Sequence, residues 1–271
     1  MNVKIEAKKL GKYNGFSIIL FHGAGGYSGS WDDNDLDKYR KKWVKDWPKL
    51  KKYKHLLKGK SNTQKKLSKI TTTFSFTSPF WFEEHNLVRK TKFKLIPNNK
   101  LFNKKFYKLY LLNLLKVFKV KPPYVLIGFS EGGMWALYFQ NVLLEVIGCV
   151  CIDPEVPLLN TPEHLGVKAS YDKYLRAKNK LDKDKYMLGY YKYKNFVQNF
   201  KLNITKPTLV MKNLQEYSTE KDYTNRFLTD CKFTSQLCKF KNVKLKVYFD
   251  ELHFLDWLHL DEIIKFIKKL S

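Results

Sequence analysis

Short runs of consecutive apolar residues recur along the chain, and most are followed by a stretch with a helical period. They are Phe16-Ser17-Ile18-Ile19-Leu20-Phe21, Tyr124 to Phe129, Val146 to Ile152 and Pro207 to Met211, and further strands are expected within the β-branched and aromatic residues 70–76 and over Val243 to Phe249. Runs that are apolar at successive rather than alternate positions predict strands covered on both faces. An earlier strand is expected within residues 2–13, closed by the turn Tyr13-Asn14-Gly15. Between the runs, residues 98–120 place Phe102, Phe106, Leu109, Leu112 and Leu115 on one side of a helix that Pro122-Pro123 stops. Further helices are expected over 219–239 and from Leu260 to Leu270. Strands alternating with helices predict one α/β domain with a mostly parallel central sheet and helices on both faces.

Two stretches break this rhythm. Residues 36–69 are the most basic part of the chain, with Trp43, Trp47, Leu50, Tyr53 and Leu56-Leu57 at near-helical spacing, and are expected as an inserted amphipathic helix with a solvated lysine face. Residues 155–204 are rich in Tyr, Lys and Asn, and are expected as a small helical excursion over the C-terminal edge of the sheet.

Charge changes this picture less than its size implies. The formal net charge is +26 over 271 residues, but only Arg40, Arg89, Arg176 and Arg226 are arginine. Base and phosphate readers favour arginine's bidentate fork, so no obligate nucleic-acid partner is expected, and weak association with anionic surfaces stays open. The four cysteines, Cys149, Cys151, Cys231 and Cys238, make no disulfide framework, and the first two share one face of a buried strand. Phe16 to Phe21 is too short for the apolar core of a signal peptide, and no run of about 18 apolar residues occurs. A soluble intracellular protein is the expectation.

The chemistry concentrates at strand ends. Tyr124-Val125-Leu126-Ile127 runs into Gly128-Phe129-Ser130-Glu131-Gly132, and helix-compatible residues follow at once. A strand–turn–helix this tight strains the backbone at its central serine and lifts the hydroxyl clear of the sheet. A serine nucleophile needs a base, a group to orient the base, and donors for an oxyanion. His253 follows the last strand, Asp153 and Glu216 follow the two strands before it, and the glycine-rich loop His22-Gly23-Ala24-Gly25-Gly26 follows the first apolar run. That loop has neither the Gly-Lys-Ser/Thr ending of a P-loop nor the full glycine order of a dinucleotide fingerprint.

From about Phe16 onward the chain resembles the α/β-hydrolases. The resemblance rests on Ile19-Leu20-Phe21-His22-Gly23-Ala24-Gly25-Gly26, the elbow Gly128 to Gly133, Lys206-Pro207-Thr208-Leu209-Val210-Met211-Lys212, and His253-Phe254 before the final helix. It implies an α/β-hydrolase fold with shortened N-terminal strands and a small helical cap. It also implies Ser130 as nucleophile, His253 as general base and the backbone N–H groups of Glu131 and Ala24 as oxyanion hole, supported by His22 and Gly23. The acid is Glu216 or Asp153. No metal or cofactor is implied. The expected activity is esterase-, thioesterase- or lipase-like hydrolysis through an acyl-enzyme, with Tyr171, Tyr174, Tyr186 and Tyr190 of the cap helping to line an acyl pocket. Several features depart from the pattern, among them the long interval from His22 to Ser130 and a glutamate where aspartate is commoner. A degenerate hydrolase fold serving as a basic scaffold for RNA, an acidic membrane or a larger assembly, with Trp31, Trp43 and Trp47 as contacts, is the alternative.

Overall fold

The computed structural model describes residues 7–23, 29–32, 62–78, 104–154, 175–178, 180, 183, 202–214, 230–249 and 255–270. Among the described residues, seven strands form one sheet in the order β1-β3-β2-β4-β5-β6-β7. They are β1 (Ala7–Leu10), β2 (Ser17–Phe21), β3 (Thr72–Phe76), β4 (Tyr124–Phe129), β5 (Val146–Ile152), β6 (Thr208–Leu214) and β7 (Val243–Phe249). Only β1 runs antiparallel, pairing Ala7 with Phe76 and Leu10 with Thr73. All other neighbours are parallel, with Ile19 opposite both Phe74 and Leu126, and Gly128 opposite Cys151. Parallel strands put their C-terminal ends along one edge, which therefore collects Phe21, Phe129, Ile152 and Leu214.

The helices are α1 (Thr63–Leu67), α2 (Lys104–Val117), α3 (Glu131–Phe139), α4 (Leu255–Leu258) and α5 (Leu260–Ile267), with a further helical segment over 230–237. The continuous apolar runs are explained by two separate cores. Ile19, Phe21, Leu126, Cys149, Cys151 and Val210 face α2, α3 and the 230–237 helix. Ile18, Leu20, Val125, Ile127, Val150, Ile152, Leu209 and Met211 face the opposite layer with Trp31, Leu67, Leu260, Ile263 and Ile267. With side chains alternating along each strand, both faces must be apolar. Cys149 and Cys151 lie on one face as expected, with their sulfurs 3.5 Å apart and both thiols free.

Two expectations are corrected: Trp31, expected as a contact on a scaffold surface, is 4% exposed and packs in the second core, and the buried face of α2 is not the expected one. The face of α2 turned to the core is Tyr107, Leu111, Leu114 and Leu115, whereas Leu109 is 51% and Leu112 40% exposed. Apolar residues cover most of this helix's girth, so two stripes compete, and the partner surface chooses between them. The Tyr107 ring meets Trp135 edge-on at 4.3 Å and Phe139 at 5.0 Å, and Phe139 in turn stacks on Phe21 of β2 at 5.5 Å. Such aromatic pairs add about 0.5–1.5 kcal/mol beyond their buried area, which outweighs the rotated stripe. Leu111→Ala is expected to cost about 2–5 kcal/mol by leaving a cavity, and Leu109→Ala under about 0.5 kcal/mol. Urea melts of the two variants check this.

The basic stretch 36–69 lies outside the described residues except from position 62 onward, where α1 forms. The excursion over 155–204 lies outside them apart from 175–178, 180, 183 and 202–204. Among the described residues, no helix is long and apolar enough to cross a membrane.

Candidate active site

β4 ends at Phe129 and α3 begins at Glu131, so Ser130 alone makes the turn between strand and helix. Its backbone sits at φ 53° and ψ −119°. A residue with a Cβ holds such a conformation at a cost of about 1–3 kcal/mol, and only where the surroundings over-determine it. Here they do. The Ser130 N–H donates to the Ile152 carbonyl at 2.8 Å, and its own carbonyl accepts from the Gly133 N–H at 2.9 Å. Behind the serine, the N-terminus of α3 carries the partial positive charge of aligned peptide dipoles.

Two glycines let the elbow close. A Cβ on Gly128 would collide with the Gly132 carbonyl oxygen and stand 2.6 Å from the Gly133 nitrogen. A Cβ on Gly132 would collide with the Phe21 carbonyl oxygen and stand 2.6 Å from that of His22. Strand β4, helix α3 and the end of β2 therefore touch backbone to backbone around Ser130, an approach that only glycine permits.

Gly23 reaches the same point. A Cβ on Gly23 would lie 3.1 Å from the Ser130 Cβ, so this chain segment passes directly beside the serine. His22 is buried, and its ring holds the loop from both sides. Nε2 accepts the Ser78 N–H at 2.9 Å, which leaves the proton on Nδ1, 2.8 Å from the Gly23 carbonyl oxygen. That pattern requires the neutral ring with Nδ1 as donor. His22 thus ties the end of β2 to the end of β3.

Asp153 ends β5 at φ 40°, with its N–H donating to the Met211 carbonyl at 2.6 Å. Its carboxylate is deeply engaged. Oδ1 accepts from Lys212 Nζ at 2.8 Å and from the Asn213 N–H at 3.3 Å. Lys212 Nζ also stands 3.0 Å from Asp230 Oδ1, and all three side chains are largely buried. Burial by itself lowers a lysine's pKa, but here the Asp153 and Asp230 carboxylates outweigh it and hold the Lys212 ammonium above its usual range. A raised folded pKa means that this pairing is fully present below the unfolded value and is lost only as pH rises through the folded one. The charge cluster therefore stays intact through neutral pH.

The structure brings together Ser130, Glu131, His22, Gly23 and Asp153 along one sheet edge. Ala24, Glu216, His253 and the cap tyrosines Tyr171, Tyr174, Tyr186 and Tyr190 lie outside the described residues. Three further groups have no counterpart in the sequence reading. The Glu131 side chain is fully buried, with its Oε1 accepting the Trp135 indole N–H at 3.2 Å. Lys212 and Asp230 complete the buried charge cluster. A lysine interrupting a strand of buried residues was the visible sign of Lys212, whereas nothing local marks Asp230. Among the described residues, no group of three or more His, Cys, Asp or Glu could hold a metal ion.

No protein-family model matches the chain, and no curated protein matches it significantly. Solved structures do. An esterase from Thermogutta terrifontis superposes with a TM-score of 0.56 at 12% identity, over 98% of this chain and 92% of that one. A candidate non-heme bromoperoxidase from Mycobacterium tuberculosis gives 0.54 at 12% identity, over 100% and 98%. A monoacylglycerol lipase from Paleococcus ferrophilus gives 0.52 at 11% identity, over 99% and 100%. At such identities the likeness speaks for the fold alone, and one fold carries several chemistries.

Proposed function

The chain has the α/β-hydrolase fold, and we propose that it is a serine hydrolase that cleaves a carboxylic ester or thioester through an acyl-enzyme. The observation that carries this reading is the strained backbone of Ser130 between β4 and α3. A fold has no reason to maintain that strain for packing, since glycine would adopt the same backbone more easily. Serine there supplies a hydroxyl at the C-terminal edge of the sheet, where parallel α/β proteins bind their ligands.

In the proposed reaction His253 takes the proton from Ser130 Oγ as the hydroxyl attacks the substrate carbonyl. The backbone N–H groups of Glu131 and Ala24 receive the resulting oxyanion. His253 then protonates the leaving alcohol or thiol, and later takes a proton from the water that releases the acid. Glu216 orients His253. The engagement of Asp153 Oδ1 by Lys212 and Asn213 supports Glu216 over Asp153 in that role, because a carboxylate already paired with a buried ammonium stabilises an imidazolium less. An esterase and a lipase are among the proteins that share this fold.

A fluorophosphonate probe tests the reading. Wild type is expected to label on one serine, and Glu216→Gln to slow labelling far more than Asp153→Asn does. Absence of labelling in well-folded wild type would overturn the hydrolase reading.

A further inference from the structure

Lys212 is the one lysine of the described residues whose ammonium is locked between two buried carboxylates, and the proposed reaction leaves it without a task. Its three N–H groups face three acceptors: Asp153 Oδ1 at 2.8 Å, Asp230 Oδ1 at 3.0 Å and the Pro154 carbonyl oxygen at 3.4 Å. An ammonium has three donors and no acceptor. With all three engaged it has no lone pair to offer as a base or as an amine nucleophile, which rules out a covalent role for it.

What it holds lies against the elbow. Two of the three acceptors belong to the turn that leaves β5, and that turn abuts α3. A Cβ on Gly133 would stand 2.8 Å from the Pro154 Cβ and 3.0 Å from its Cα, so the proline ring rests on the first turn of the helix. Immediately upstream, Ile152 accepts the Ser130 N–H. The third acceptor, Asp230, lies in the helical segment over 230–237, whose Phe233 and Leu237 are embedded in the same core as α3. The ammonium thus connects a firmly packed helix to the segment that backs the serine. Asp153 itself sits at positive φ, a conformation that its side-chain contacts with Lys212 and Asn213 and its bond to Met211 help to keep in place.

We propose that Lys212 is a positioning residue for the elbow: it pins the Asp153-Pro154 turn against Gly133 and so fixes the first turn of α3 behind Ser130. The proposal rests on the hydrolase reading for its kinetic consequence, since the amide of Glu131 in that turn is one of the two oxyanion donors. A displacement of about 1 Å at such donors can lower turnover by about 100-fold. Substrate binding, which depends on the pocket and not on these amides, changes little.

The test uses the full chain with Lys212→Met, Pro154→Gly and, as control, Lys246→Met, which removes a half-exposed lysine paired with Glu262 at 3.4 Å. The readouts are kcat and KM for p-nitrophenyl acetate, melting, and hydrogen exchange of the amides of residues 131–134. Lys212→Met and Pro154→Gly are each expected to lower kcat about 10- to 100-fold, to leave KM within about 3-fold, and to speed exchange selectively at 131–134. Lys246→Met is expected to match wild type. Folded Lys212→Met with wild-type kcat and exchange would overturn the proposal, and so would exchange that rises equally across the whole sheet. If Lys212→Met does not fold, Pro154→Gly decides, because it removes the contact with Gly133 without touching a charge. Should wild type turn over no ester and take no probe, the hydrolase reading fails, and selective exchange at 131–134 still decides the positioning role.

Discussion

Ser130→Ala is expected to lower ester turnover by about 10⁴-fold or more, the scale on which removal of a serine nucleophile acts, while leaving the melting temperature near that of wild type. Alanine keeps the Cβ, so the strain at φ 53° remains. Ser130→Gly is the sharper companion. It is expected to be equally inactive but more stable by about 1 kcal/mol, because relief of about 1–3 kcal/mol of backbone strain exceeds the added unfolded-state entropy of glycine. In a chain of this size that corresponds to a rise of about 2–4 °C. The pair separates the two halves of the argument. Turnover that survives in both variants would remove Ser130 from the chemistry, and a Ser130→Gly protein that melts below Ser130→Ala would show that the turn stores no strain.

Gly132→Ala is expected to cost about 4–5 kcal/mol or to prevent folding, the range reserved for a few severe mechanisms. The added methyl would collide with the Phe21 carbonyl oxygen and press on that of His22, both of them backbone atoms at the end of a central strand. A flexible side chain could rotate away. Here relief requires α3 to part from β2, which would pull Phe139 off Phe21 and open the core between them. Gly15→Ala supplies the contrast, because nothing lies within 4 Å of a Cβ there and only the positive φ of 79° is strained; its cost is expected near 1 kcal/mol. Denaturant melts of both proteins measure the difference. A Gly132→Ala protein with wild-type stability would mean that strand, helix and glycine loop do not meet as described.

Strands β2, β4, β5 and β6 fall where the runs of apolar residues placed them, because burial on both faces of a parallel sheet leaves its mark at every successive position, and β1, β3 and β7 fall within the stretches expected for them. The elbow was equally legible, since its geometry demands glycine at fixed offsets from the serine and those demands are written as residues 128 and 132. The buried face of α2 was not. Leu109 and Leu112 are as apolar as Leu111 and Leu114, and only the aromatic surface of α3 distinguishes them. Composition cannot record which of two adequate stripes finds a matching partner.

The charge cluster marks the same boundary more clearly. Taken one at a time, Asp153, Lys212 and Asp230 each have a commonplace reading: a turn acid before proline, one of many lysines, an acid in a helical stretch. Their meeting depends on β5 and β6 lying side by side and on the 230–237 helix packing over them, across 59 residues between the first pair. Sequence by itself determined which local conformations the chain adopts and that Ser130 ends the central strand on a strained turn, because propensity, periodicity and glycine spacing act between near neighbours. Only the tertiary structure decided which distant groups share a buried site, because desolvation and ion pairing depend on distances in space and not on separations along the chain.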